Sequence, residues 1–112
     1  MHQLQERLSQ HEQAALAELK ELLTRVYGVQ DLRLFGSKAR GTAHSESDMD
    51  LFIVVPQLDW ETEKAIYTLY FDLSLKYDLL LAPTLYSRAE LADSRLQATP
   101  FYRTIQAEGV PV

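Results

Sequence analysis

The sequence predicts an α/β fold, a single small domain in which a mixed β-sheet of about three to four strands is flanked by helices. Three observations predict it. Residues Met49–Val55 (MDLFIVV) form a nearly continuous apolar run rich in β-branched side chains and closed by Pro56, the pattern of a central strand buried on both faces. Segments on either side repeat apolar residues every three or four positions, the period of an amphipathic helix. Helical and strand patterns then alternate along 112 residues with no linker, repeat or low-complexity stretch, so 1–112 is taken as one domain, an N-terminal helix (1–27) and a core (29–112).

In chain order, Leu4, Leu8, Ala15, Leu19, Leu22 and Val26 define the first helix over 3–27, and Gly28 supplies its stop. Residues 29–35 alternate loosely around Val29, Leu32 and Leu34 and end at Gly36, a short strand. Residues 37–41 suit a single helical turn, and 42–47 have loop composition. After the central strand, Asp59 caps a helix with an acidic first turn (Glu61, Glu63) and a stripe of Ile66, Leu69, Tyr70 and Leu73, running to about Lys76. Residues 77–82 (YDLLLA) have the length and apolarity of another buried strand, ended by Pro83. Ser87 with Glu90 reads as a capping box for a short helix, and Thr99-Pro100 as cap and first position of a last helix ending before Gly109. Alternating strands and helices favour an α/β sandwich, while the short link between the first two strands also permits an antiparallel pair.

Composition narrows the functional classes. Hydrophobic residues at 46% and charged residues at 24% describe a chain with a packed core. A formal net charge of -5 repels phosphate backbones, which argues against nucleic acid as a partner. Without cysteine there is neither a disulfide framework nor a thiolate metal site. No apolar run approaches the roughly 20 residues that span a bilayer, and the start (MHQLQERLSQHEQ) lacks a secretory signal's apolar stretch. A soluble, cytoplasmic protein without membrane contact is therefore expected.

Chemistry concentrates in two places. Asp48 and Asp50, two apart at the mouth of the central strand, point to the same face with their Cα atoms about 7 Å apart. Such a pair suits a hard divalent cation that completes its shell with water and substrate phosphates, although a bare Asp-x-Asp is more often two solvated turn residues. Upstream, Gly36 permits close backbone approach and Ser37 adds a hydroxyl to the N–H donors opening a helical turn, a cradle for phosphate. Arg40 and Lys38 add positive charge within one turn. His44, in the loop between these motifs, reads as a solvated histidine, and Trp60 and the tyrosines as core packing, with an exposed few able to form a partner surface.

Together these residues carry a resemblance. FGSKARGTAHSESDMDLFIV is similar to the GSxxRG...SDxDL signature of the polymerase-beta-type nucleotidyltransferase superfamily, with Phe35, Leu51, Phe52 and Ile53 at its apolar positions, and PFYRTIQAEGVPV resembles the closing helix of small bacterial members. The resemblance implies a nucleotidyltransferase fold, Gly36, Ser37, Arg40 and Lys38 at the nucleotide, and Asp48 and Asp50 as catalytic metal ligands for Mg2+ or Mn2+. It implies a third catalytic and metal-binding carboxylate on a neighbouring strand, for which Asp78 in KYDLLLA is the matching position. The implied reaction is in-line attack of an acceptor hydroxyl on the α-phosphorus of a nucleoside triphosphate, ATP first among them, with pyrophosphate leaving.

Stand-alone chains of this size resemble the antitoxin half of HEPN/MNT toxin-antitoxin pairs, where a minimal nucleotidyltransferase (MNT domain) adds AMP to a tyrosine of a HEPN ribonuclease. A HEPN-domain protein is thus the expected partner, and an acidic surface suits a protein better than a polynucleotide. Two alternatives remain open: an antitoxin that neutralises its toxin by binding alone, and a small-molecule transferase of the aminoglycoside-modifying type, for which a homo-oligomer could complete the drug pocket.

Overall fold

The computed structural model describes residues 7–41 and 48–112. The first helix, expected over 3–27, is α1 (Gln10–Tyr27), with 7–9 outside it because Ser9 and Glu12 form a reciprocal capping box that starts it: the Glu12 N–H donates to Ser9 Oγ, and the Ser9 N–H donates to Glu12 Oε1 at 2.8 Å. Gly28, left-handed at φ 64°, closes it with its N–H on the carbonyls of Leu23 and Thr24. Then follow β1 (Asp31–Phe35), the one-turn α2 (Gly36–Arg40), β2 (Met49–Val55), α3 (Trp60–Tyr77), β3 (Leu81–Ser87), the short α4 (Arg88–Leu91) and α5 (Ser94–Gln97), α6 (Pro100–Glu108) and β4 (Val110–Pro111). The expected caps Asp59, Ser87 and Thr99 each accept a backbone N–H at their helix starts.

The strands form one sheet in the order β3-β2-β1-β4. β2 runs antiparallel to β1 and parallel to β3, so the sheet is mixed and the first two strands are the antiparallel pair their short link permits. The sheet's two faces serve different purposes. Met49, Leu51, Ile53 and Val55 pack with Leu16, Leu19 and Leu23 of α1 and with Ile66 and Leu73 of α3 in the main core. Phe52 and Val54, on the opposite face, meet Ile105 of α6, with Phe35, Tyr86 and Phe101 around them. Asp50 shares that second face and is the only β2 residue not buried.

The third strand departs from expectation. Of residues 77–82 only Leu81 and Ala82 are strand: α3 continues to Tyr77, Asp78 takes the left-handed C-cap position at φ 51°, and β3 runs from Leu81 to Ser87. The left-handed cap at Asp78 ends the helix, Leu79 and Leu80 form the link, and the strand starts at Leu81 where parallel pairing with Met49 begins. Pro83 lies inside β3, paired across Leu51, because β3 is an edge strand where a missing N–H can face away from the ladder.

Candidate active site

Asp48, exposed, immediately precedes β2, and Asp50, half-buried, is its second residue. The strand's period of two puts both on the α6 side of the sheet. The antiparallel register sets Phe35 opposite Asp50, so the turn Gly36-Ser37 leaves β1 beside the Asp50 carboxylate. How close it passes is measured at Gly36. At φ 75° it occupies a conformation that L residues avoid, and a Cβ there would lie 2.5 Å from Asp50 Oδ2. Backbone and carboxylate can meet this closely only at a glycine.

Ser37 follows, half-buried in the first turn of α2, whose N-cap, Phe35, has no side-chain oxygen to take up the turn's N–H groups. Burial raises the Asp50 carboxyl above the usual aspartate range and the nearby charge of Asp48 raises it further, while the Arg40 guanidinium pulls it back. A half-buried carboxylate repelled by its neighbour is the electrostatic setting in which a divalent cation is favoured, and the oxygen-only donors suit Mg2+ or Mn2+. Arg40 itself is half-exposed, with Nη1 3.5 Å from Glu108 Oε2 at the end of α6.

Two expected site residues lie elsewhere. Lys38 is buried, its Nζ 2.7 Å from Glu12 Oε2 on α1, and is engaged in tying α2 to the first helix instead of being displayed to a phosphate. Asp78, on the α3 cap and exposed, does not join the pair. Among the described residues no three His, Cys, Asp or Glu side chains are grouped to share a metal ion. The β3 residue in register with Asp50 is Ala82. His44 falls outside the described residues. Glu12 and Glu108, which place Lys38 and Arg40, were not foreseen; the Ser9-x-x-Glu12 spacing marks a helix start but not the lysine it would meet, and nothing local signals Glu108.

A strand-borne carboxylate pair facing a glycine turn in a small mixed sheet is a nucleotidyltransferase arrangement. The family model for the nucleotidyltransferase domain matches residues 16–102, and the chain belongs to that family. It is 41% identical over 71 residues to a Methanocaldococcus jannaschii protein named "putative protein adenylyltransferase", a match that takes in 62% of this chain and 66% of the relative, just under two thirds of its length. Among solved structures, a "putative minimal nucleotidyltransferase" superposes with a TM-score of 0.61 at 24% identity, over 89% of this chain and 91% of the other. A toxin-antitoxin crystallised with AMP-PNP superposes with a TM-score of 0.57 at 20% identity (92% and 72%), and a mutant of the MntA-HpeT toxin-antitoxin with 0.58 at 20% (89% and 70%). At these identities the structural likeness speaks for the fold.

Proposed function

We propose that this nucleotidyltransferase domain moves a nucleoside monophosphate, AMP from ATP, onto a hydroxyl of a partner protein, a tyrosine of a HEPN toxin, and so acts as an antitoxin. The observation that carries the reading is the convergence of Gly36 and Asp50, where a phosphate-approaching turn and a metal-suited carboxylate meet within the space of one missing Cβ. The name of the archaeal relative supports a protein acceptor, and the toxin-antitoxin neighbours support a toxin as that protein.

In this mechanism Asp48 and Asp50 hold the divalent cation. When bound, Mg2+ or Mn2+ neutralises the triphosphate and stabilises the attacking and leaving oxygens of an in-line displacement. Gly36 lets the backbone approach the phosphates, Ser37 adds its hydroxyl and N–H, and Arg40 offers a guanidinium to the outer oxygens. The acceptor oxygen bonds to the α-phosphorus as the bond to the pyrophosphate oxygen breaks, and the hydroxyl proton leaves to solvent or a base. Lys38 acts through structure, holding α2 against α1. With Asp78 capping α3, the described residues do not group a third carboxylate with Asp48 and Asp50.

That last observation favours one second reading, an antitoxin that binds and occludes its toxin without transferring anything. Incubating the chain with its genomically adjacent partner, Mg2+ and α-labelled ATP separates the two. Transfer puts label on the partner and Asp48→Asn abolishes it; occlusion gives no label while the toxin is silenced by wild type and Asp48→Asn alike.

A further inference from the structure

The outer face of α3 is apolar where a solvent-facing helix should be polar. Trp60 is 74% exposed, Phe71 65% and Leu75 68%, with Tyr67 also open to solvent. Their spacing of seven, four and four puts them on one face, away from the stripe of Ile66, Tyr70 and Leu73 that enters the core. Tyr67 and Phe71 line two adjoining grooves, one of about 410 Å³ beginning at Trp60 and one of about 660 Å³ ending at Leu80, Leu81 and Pro83. Leu80 is itself 59% exposed, and its carbonyl accepts the N–H of Met49, the residue between the two site aspartates. The apolar track therefore runs the length of α3 and ends at the same end of the sheet as Asp48 and Asp50, on the face opposite theirs, so a protein held there reaches the pair around the start of β2.

We propose that this track docks an amphipathic helix of the acceptor protein, with basic residues flanking its apolar stripe, and that this contact delivers the acceptor hydroxyl to Asp48 and Asp50. The proposal rests on the protein-acceptor reading and names where that protein is held. Size supports it: the exposed parts of three aromatics and two leucines amount to on the order of 600 Å² of apolar surface, at the upper end for a monomer and approaching the ~800 Å² that one partner contributes to a standard interface. Charge selects the occupant. Glu61, Glu63, Asp72 and Asp78 border the track, and none is paired with a cation among the described residues, whereas Lys76 is held by Glu18 at 2.8 Å and only Lys64 stands free among them. A second copy would bring like charge against like charge in a chain of net charge -5, so a basic helix fits better than self-association.

Trp60 is the only tryptophan, so its emission reads the track directly. Two synthetic amphipathic helices of identical leucine pattern, one with lysine and one with glutamate flanks, serve as probes. The expected result is a blue shift with the lysine helix at an affinity at least tenfold above that of the glutamate helix, lost in Phe71→Asp and in Leu75→Asp, and kept in Val26→Asp, an exposed apolar site on α1. Because both track variants add negative charge, non-specific attraction to an acidic protein would tighten binding in them, and that outcome overturns the proposal. So do equal binding of the two helices and a blue shift that grows with protein concentration alone, which would assign the face to a second copy. Mn2+ binding measured on the same samples keeps the two readings apart: wild type that binds the lysine helix but no Mn2+ contradicts the transfer reading and leaves the docking face standing, and the converse contradicts docking alone.

Discussion

Gly36 and Asp50 set the terms at the scale of single residues. Gly36→Ala adds a methyl 2.5 Å from Asp50 Oδ2 at a φ of 75°, so either the turn or the carboxylate must move. The expected outcome is a stability loss of about 1–2 kcal/mol from the left-handed backbone and a drop in Mn2+ affinity of at least about tenfold, seen by thermal melting and metal titration. Asp50→Asn separates stability from function. A carboxyl raised above its ordinary range by burial and by Asp48 costs folding energy when ionised, so this contribution to stability improves as pH falls through the folded-state value and is worst at neutral pH. The Asn variant is expected to melt higher than wild type at pH 7 without metal, with the gap closing in acid. Added Mg2+ should reverse the order: at about 100 times its dissociation constant a ligand stabilises wild type by about 2.7 kcal/mol, and the variant should gain almost nothing.

Among the elements, α2 is tied to α1 by the Lys38–Glu12 pair, which gives a residue expected at the nucleotide a part in the architecture. Removing one partner of a buried pair strands the other, so Lys38→Met should cost about 3–5 kcal/mol by urea unfolding at neutral pH. The pair also leaves a mark in acid. Burial pushes the Glu12 carboxyl up, but hydrogen bonds from Lys38 and Ser9 outweigh it and hold the group below its ordinary 4.5. Its stabilisation is therefore complete above that value and disappears as pH falls through the lower folded-state value, and Lys38→Met should flatten this acid limb. Such long-range pairs explain what was legible beforehand. α1, β2, α3 and the caps Asp59, Ser87 and Thr99 could be read from sequence because period and cap chemistry are local. β3 was misplaced because YDLLLA suits helix and strand alike, and only its parallel pairing with β2 decides. Gly36, Ser37, Asp48 and Asp50 were legible as a motif, whereas the places of Lys38 and Asp78 depend on Glu12 and on where α3 stops.

For the whole molecule, one sheet divides the work: one face is closed by α1 and α3 into the main core, and the other carries the carboxylates beside α6. No helix among the described residues is long and apolar enough to cross a membrane, and the net charge of -5 and the apolar α3 track both suit the protein acceptor proposed above. The most direct test is intact-mass measurement of the partner protein after incubation with this chain, Mg2+ and ATP. The account predicts a gain of one AMP on the partner that disappears with Asp50→Ala. An unchanged partner mass under conditions where the toxin is nonetheless silenced, or a gain that persists in Asp50→Ala, would contradict it.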